Sequence, residues 1–255
     1  SDLGPLPHGG NQRNGNRPAK ERLPVITPMI RKLVAELVGT FILVFAGTGA
    51  IVINHESGGL ITHVGVALTF GLVVFALIQM LGDVSGAHLN PAVTTGLVLA
   101  RRFPPQEAIP YITAQCLGAF LASGLLKILF PADTTLGATL PAGSAFQSFA
   151  LEFTLTAILM LTILRATTGA PGKIALAGAA IGSVIALEAM FAGPACGASM
   201  NPARSLAPAI VSGQTSALWI YLVAPVLGAA LGVLFEVLLT SPNDETTIKR
   251  ERIES

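Results

Sequence analysis

The chain has 255 residues, of which 52% are hydrophobic and only 11% are charged, and its mean hydropathy is +0.69. Soluble domains contain about 25% charged residues, so this chain has too few to cover the surface of a soluble globule and must expose apolar side chains to lipid. The net charge of +1 and the scattered basic residues give no support to nucleic-acid binding.

The two ends of the sequence differ in composition from the middle. Residues 1–28 are rich in Gly, Pro, Asn and Arg and contain no apolar run of the kind that a signal peptide needs. We predict a disordered basic tail there, a second polar tail at residues 241–255, and a membrane domain at residues 29–240. Cys116 and Cys196 are too few for a disulfide framework or a zinc site, so no metal or cofactor is expected.

Between the tails lie apolar runs of two lengths. The longer ones can cross a hydrocarbon layer of about 30 Å as helices. They are residues 32–53, 63–81, 108–130, 145–164, 174–192 and 217–239. Two shorter runs, residues 91–100 and 202–211, reach about 15 Å each, which is the length of a re-entrant half-helix. The prediction is an all-α protein with six transmembrane helices and two re-entrant half-helices.

The sequence also contains an internal repeat, from about residue 31 to 130 and from about 145 to 239. SGAHLNPAVT in the first half matches CGASMNPARS in the second, and YITAQCLG matches YLVAPVLG. Each half has three spans, and an odd number of spans inverts the second half in the membrane. The two half-helices are therefore predicted to enter from opposite faces.

The distribution of Lys and Arg predicts the orientation. With six spans, nearly all of them fall on one side of the membrane, and the other side receives only Lys127 and Arg204. By the positive-inside rule, both termini are predicted to be cytoplasmic, in a plasma or inner membrane.

Each half-helix opens with the same tripeptide, Asn-Pro-Ala. Asn is a good N-cap and Pro suits the first helical turn, so each box predicts a helix N-terminus at the membrane midplane. The two boxes are Asn90, Pro91, Ala92 and Asn201, Pro202, Ala203. The preceding backbone must be non-helical, which is tolerated at this depth only beside a watery cavity. Its expected pore-lining carbonyls belong to Gly86, Ala87, His88, Gly197 and Ser199.

Two helix N-termini that meet at the midplane place partial positive charge on the path of a solute. Cations and protons are repelled there, whereas a neutral molecule can accept hydrogen bonds from the Asn90 and Asn201 amides. The boxes therefore predict a pore for small uncharged solutes.

The doubled Asn-Pro-Ala box, the offset repeat, and Glu36 and Glu152 near the starts of spans one and four resemble the aquaporin (major intrinsic protein) family. The resemblance covers about residues 30–240 and implies a homotetramer with one pore per subunit. AGP before GASMNPAR, and WIYLVAP in span six, are similar to the nodulin-like branch of plants and related prokaryotes. That branch is associated with glycerol, urea and hydroxylated metalloids such as boric, silicic and arsenous acids. Ser205 and Ala209, in contrast, resemble water channels.

The resemblance also implies a selectivity filter near the outer mouth. Its four positions are Phe70, Ala189, Ala198 and Arg204. Water-selective members of the family usually have His at the position of Ala189. A methyl group there implies a wider and less polar passage, while Arg204 supplies fixed donors and a permanent positive charge.

The sequence also predicts the environment of several other polar residues in apolar segments. By the resemblance, Glu36 and Glu152 are structural carboxylates that accept hydrogen bonds from the re-entrant backbone. Glu188 either braces Arg204 or the loop near Gly197, or lies at the lipid interface, and Glu236 is expected to be solvated at the cytoplasmic end of span six. His88 is either a pH sensor or a structural hydrogen-bonding residue.

The function predicted is a passive channel for water and small uncharged solutes, with a water-selective channel as the alternative. A secondary transporter also fits inverted repeats with broken helices, but the spans show no paired ionisable residues that could couple ions. A junction-forming protein is compatible with the short outer loops. No arrangement of nucleophile, base or metal ligands supports an enzyme.

Overall fold

A computed structural model describes residues 27–240, and the predicted tails at residues 1–26 and 241–255 lie outside the described residues. Within the described part the chain forms nine helices. They are α1 Pro28–Glu56, α2 Thr62–Ser85, α3 Pro91–Leu99, α4 Pro105–Leu129, α5 Ala145–Ala166, α6 Pro171–Ala175, α7 Ala177–Cys196, α8 Pro202–Ser212 and α9 Leu218–Leu239. Six of them, α1, α2, α4, α5, α7 and α9, are long and apolar enough to cross a membrane. The predicted fold class is confirmed.

Helix boundaries differ from the predicted ones for local reasons. Thr27 caps α1, its hydroxyl accepting from the Ile30 N–H at 3.4 Å, and Pro28 occupies the first turn. The helix therefore begins four residues before the predicted start of the first span, at residue 32. The fifth span does not begin at residue 174 as predicted, because the short α6 ends at Ala175 and α7 starts at Ala177.

The two repeats pack in the same way. Helix α1 lies against α4 and α2, α5 lies against α9 and α7, and α2 and α7 meet each other. A Cβ at Gly118 would collide with the carbonyl oxygen of Leu37, and one at Gly228 with that of Phe153. These two glycines, at matching places in the repeats, let the α1–α4 and α5–α9 backbones touch.

The half-helices α3 and α8 fill the centre of the bundle. Each packs against both α4 and α9, so each contacts the last long helix of both repeats. Their N-terminal ends meet, since the side chains of Asn90 and Asn201 contact the opposite loop. The half-helices therefore run in opposite directions from a common midpoint, as the repeat predicted.

Candidate functional site: a pore through the bundle

Two asparagines build the midpoint of the molecule. Asn90 has an extended backbone (φ −159°, ψ 120°) and its Oδ1 accepts from the Ala92 N–H at 2.8 Å. Asn201 caps α8 similarly, accepting from the N–H groups of Ala203 at 3.0 Å and Arg204 at 3.3 Å. These caps satisfy N–H groups that a helix start otherwise leaves unpaired.

The same side chains also join the two halves. Asn90 Nδ2 donates to the carbonyl oxygen of Met200 at 2.8 Å, and Asn201 Nδ2 donates to that of Leu89 at 2.9 Å. An amide group has two hydrogens, and each asparagine uses one of them within the described residues. The second hydrogen of each amide is available to a passing solute.

The loops before the asparagines share an unusual backbone. Gly86 and Gly197, which end α2 and α7, have φ values of 87° and 88°. Ala87 (φ 47°) and Leu89 (φ 53°) in the first loop match Ala198 (φ 43°) and Met200 (φ 54°) in the second. Positive φ is costly for residues with a side chain and persists only where the surroundings enforce it.

Two buried carboxylates enforce this backbone. Glu36 accepts from the N–H groups of His88 at 2.9 Å and Leu89 at 2.7 Å, and also from Ser85 Oγ and Gln115 Nε2. Glu152 accepts from the N–H groups of Ser199 at 2.7 Å and Met200 at 2.8 Å. Both carboxylates are fully buried. Each carboxylate thereby stabilises the backbone conformation of one re-entrant loop.

An inner cavity of about 110 Å³ runs past the asparagines. Its lining includes hydrogen-bonding groups of the re-entrant loops, from Gly86, Ala87, His88, Asn90, Ser199 and Asn201. It also includes aliphatic side chains, among them Leu43, Val74, Leu159, Ile163, Ile181 and Ile185. A solute in this cavity therefore meets both hydrogen-bonding groups and apolar surface.

An outer cavity of about 470 Å³ is lined by Ala189, Gly197 and Ala198, and near its rim by His55 and His63. Phe70 and Arg204 line both cavities. The two cavities therefore meet at these two side chains. The structure brings all four predicted filter positions together around this junction.

Arg204 is held at the junction by uncharged groups. Its Nη1 donates to the Gly137 carbonyl oxygen at 2.8 Å, and its Cζ lies 5.0 Å from the centre of the Phe70 ring. The side chain is only 3% exposed, and within residues 27–240 no carboxylate forms a salt bridge with it. Its charge is therefore not neutralised by direct contact and acts on whatever enters the junction.

Sequence reasoning missed the loop that positions Arg204. Asp133 Oδ1 accepts from the N–H groups of Thr135 at 2.9 Å and Leu136 at 2.6 Å, and Asp133 Oδ2 lies 3.2 Å from His55 Nδ1. This turn presents the Gly137 carbonyl to the guanidinium. The segment from Asp133 to Gly137 has an Asp, two Thr residues, a Leu and a Gly, which is a turn signal, but it does not reveal which side chain the turn will contact.

Two expectations about carboxylates were wrong. Glu236 is not solvated: it is 9% exposed and pairs with Arg102 Nη2 at 2.7 Å. Arg102 Nη1 also donates to the Leu164 carbonyl, so it joins the ends of α5 and α9. Glu188 is not at the lipid interface, since it is 1% exposed, and its carboxyl oxygens have no hydrogen-bond partner among the described residues.

His88 lies in an aromatic and polar environment beside the inner cavity. Its Nδ1 is 3.2 Å from Thr94 Oγ1, and its ring is 4.6 Å from that of Phe103 and 5.1 Å from that of Tyr111. Tyr111 in turn donates to the Ser85 carbonyl at 3.0 Å. These contacts favour the structural interpretation of His88.

Comparisons with known proteins agree with this geometry. The family model described as "Major intrinsic protein" matches residues 25–235. The chain is 47% identical over 206 residues to Aquaporin NIP1-1 of Oryza sativa subsp. japonica (80% of this chain, 72% of that protein). It is 45% identical over 209 residues to Nodulin-26 of Glycine max (82% and 77%).

Among solved structures, the aquaglyceroporin from Plasmodium falciparum matches with a TM-score of 0.76 and 28% identity, covering 86% of this chain and 99% of that one. The relatives are channel proteins and include nodulin-26, as the sequence motifs predicted. The doubled Asn-Pro-Ala box, the inverted repeat and these matches lead to one assignment. The chain belongs to the major intrinsic protein family.

Proposed function

We propose that this protein is a passive channel for water and small uncharged solutes, including glycerol, urea and hydroxylated metalloids such as boric, silicic and arsenous acids. The observation that carries the proposal is the junction of the two cavities at Phe70 and Arg204, together with an inner cavity lined by both hydrogen-bonding groups and aliphatic side chains. A solute that has both hydroxyl groups and carbon atoms matches such a lining. The aquaglyceroporin among the structural matches supports the same solute class.

The filter residues support passage of solutes larger than water. The side chains of Ala189 and Ala198 beside the outer cavity are methyl groups, so the large side chains at the junction are one ring and one guanidinium. Two helix N-termini and the Arg204 charge oppose cations and protons. A water-selective channel is the alternative, and the position of the Phe70 ring beside Arg204 favours it.

The channel is proposed to sit in a plasma or inner membrane as a homotetramer, as the family implies, and it has no catalytic step. The basic residues of the described part support the proposed membrane orientation. Arg31, Lys32, Arg101, Arg102 and Lys173 lie at helix ends away from the outer cavity. By the positive-inside rule these ends face the cytoplasm.

Stopped-flow light scattering on proteoliposomes tests the solute class. Vesicles are mixed with an impermeant osmolyte, or with glycerol, urea or boric acid. We expect fast shrinkage followed by fast re-swelling with the three permeant solutes. Fast shrinkage without re-swelling would instead support the water-selective alternative.

Two controls separate the pore from leak and from transport. Ala189→Trp fills the junction and should abolish both water and solute flux at equal reconstitution. Flux through a channel should rise linearly with solute concentration and should not depend on ion gradients. Saturable or gradient-driven flux would point to a secondary transporter.

A junction-forming protein is the remaining alternative. A folded protein with no permeability would favour that role.

A further inference from the structure

Gly47, on α1, lies against the flat side of the Phe70 ring. A Cβ at Gly47 would be 2.5 Å from Phe70 Cζ, 2.6 Å from Cδ1 and closer still to Cε1. Carbon atoms in contact are normally about 3.5–4.0 Å apart. The ring therefore occupies the space that any side chain at residue 47 would need.

Neither helix backbone can move away to make room. On one side, the α1 backbone touches α4, because a Cβ at Gly118 would collide with the Leu37 carbonyl oxygen. On the other, α2 touches α7 next to Phe70 itself: a Cβ at Gly71 would be 2.5 Å from the Gly182 carbonyl oxygen. A close-packed interior resists such shifts, so the side chain of Phe70 is the group that can yield.

The Phe70 ring also borders the pore. It lines both cavities, and the Arg204 guanidinium lies 5.0 Å from its centre. A ring displaced from α1 therefore takes up space at the junction of the two cavities. With the ring resting on Gly47, the gap between Phe70 and Arg204 has its full width.

We propose that Gly47 is a positioning residue for the selectivity filter: because it has no side chain, the Phe70 ring rests against α1 and leaves a gap that admits solutes larger than water. The inference rests on the proposed solute channel. It assigns a role in solute selection to a residue that touches no solute and lies on a helix outside the four filter positions.

The test compares two glycine substitutions on one helix. Gly47→Ala places a methyl group against the ring, and Gly49→Ala is the matched control. Gly49 is also buried, but its Cβ would meet only Leu126 Cδ2, at an ordinary 3.5 Å. We expect Gly47→Ala to lower the glycerol-to-water permeability ratio by at least about tenfold, as one methylene does in a selective pocket. Gly49→Ala should leave it unchanged.

A rescue variant separates ring displacement from general damage. In Gly47→Ala/Phe70→Leu, a shorter side chain replaces the ring, so the added methyl group has space. The double variant should regain the glycerol-to-water ratio of Phe70→Leu. An unchanged ratio in Gly47→Ala, an equal loss in Gly49→Ala, or a double variant as restricted as Gly47→Ala would each overturn the proposal.

Folding of the variants is itself informative. If Gly47→Ala does not fold but Gly47→Ala/Phe70→Leu does, the methyl group and the ring compete for one space, which supports the proposal. If neither folds, the methyl group meets something other than the ring and the proposal fails.

Failure of the proposed solute class is visible first in the unsubstituted protein, as absence of solute flux. In that case water permeability tests the role of Gly47. Water should pass more slowly through Gly47→Ala than through Gly49→Ala, and the rate should be restored in Gly47→Ala/Phe70→Leu.

Discussion

Arg204 donates its Nη1 hydrogen to the backbone carbonyl of Gly137, at 2.8 Å, and not to a carboxylate. Buried arginines are usually paired with acids, which cancels most of their charge at a distance. Here the fixed partners are a carbonyl dipole and the face of the Phe70 ring. Among residues 27–240 no carboxylate forms a salt bridge with the guanidinium, so the positive charge is held without a direct ion pair at the point where the two cavities meet.

Removal of this charge should weaken the exclusion of cations and protons. In Arg204→Ala we expect proton conductance to rise on the order of tenfold, the change that about 1.4 kcal/mol of barrier produces. Water permeability should persist, since the asparagine midpoint is untouched. A pH-sensitive dye trapped in proteoliposomes measures the conductance under an imposed proton gradient.

The Arg204→Lys variant separates the effect of the positive charge from the effect of the guanidinium geometry. It keeps a cation but loses the planar guanidinium that contacts both Gly137 and Phe70. We expect proton exclusion to be largely retained in this variant. Equal leak in Arg204→Lys and Arg204→Ala would mean that the geometry of the guanidinium, and not its charge, sets the barrier.

Ala189 should control the size of solute that passes. Ala189→His places an imidazole in the outer cavity beside Phe70 and Arg204. We expect glycerol and urea permeabilities to fall on the order of tenfold while water continues to pass, because a larger polar group narrows the junction. Met190→His is the matched control, since Met190 is 37% exposed on the outside of the bundle. An unchanged glycerol-to-water ratio in Ala189→His would remove Ala189 from the filter.

Glu36 and Glu152 should be required for stability as carboxylates. In each loop, one backbone N–H donates to each of the two carboxylate oxygens. Glutamine has only one acceptor oxygen, so one of these N–H groups would lose its acceptor. A buried donor without an acceptor costs about 1–3 kcal/mol. We expect Glu36→Gln and Glu152→Gln to lower the thermal unfolding temperature in detergent. The loss should be larger for Glu36→Gln, because Ser85 and Gln115 also donate to that carboxylate.

Glu188 provides a contrast with Glu152. Both side chains are at most 1% exposed, but neither carboxyl oxygen of Glu188 has a hydrogen-bond partner among the described residues. Glu188→Gln breaks no hydrogen bond between described residues, and it replaces a buried ionisable group with a neutral one. We therefore expect its unfolding temperature to equal or exceed that of the unsubstituted protein. A loss as large as that of Glu152→Gln would mean that the Glu188 carboxyl stabilises the fold.

Local signals in the sequence predicted the parts of the pore that each repeat builds for itself. Asn90 and Asn201 cap their half-helices because capping depends on neighbouring residues alone, and length predicted which segments cross. Contacts between distant segments were not predictable. The Arg102–Glu236 pair joins residues far apart in the chain, and the Gly137 carbonyl carries no residue-type signal at all. Every residue has a backbone carbonyl, so only the folded structure shows which carbonyl binds a given side chain.

The loop that presents Gly137 should depend on the ionisation of Asp133, a residue outside the membrane-spanning helices. Burial alone would raise the pKa of this carboxyl. Hydrogen bonds from the Leu136 and Thr135 N–H groups and from His55 outweigh burial, so the pKa lies below its ordinary value of 3.8. A carboxyl with a lowered pKa in the folded state stabilises the fold above its unfolded pKa and loses that contribution as the pH falls through the folded value.

The measurement is the difference in unfolding temperature between the unsubstituted protein and Asp133→Ala, as a function of pH. Since the pKa of Asp133 is below 3.8, the difference should not shrink from pH 7 to pH 5 and should shrink only under stronger acid. Asp133→Asn keeps an acceptor oxygen for the Thr135 and Leu136 N–H groups, so it should be more stable than Asp133→Ala at pH 7. A difference that already shrinks between pH 7 and pH 6 would mean that another group, and not Asp133, controls this loop.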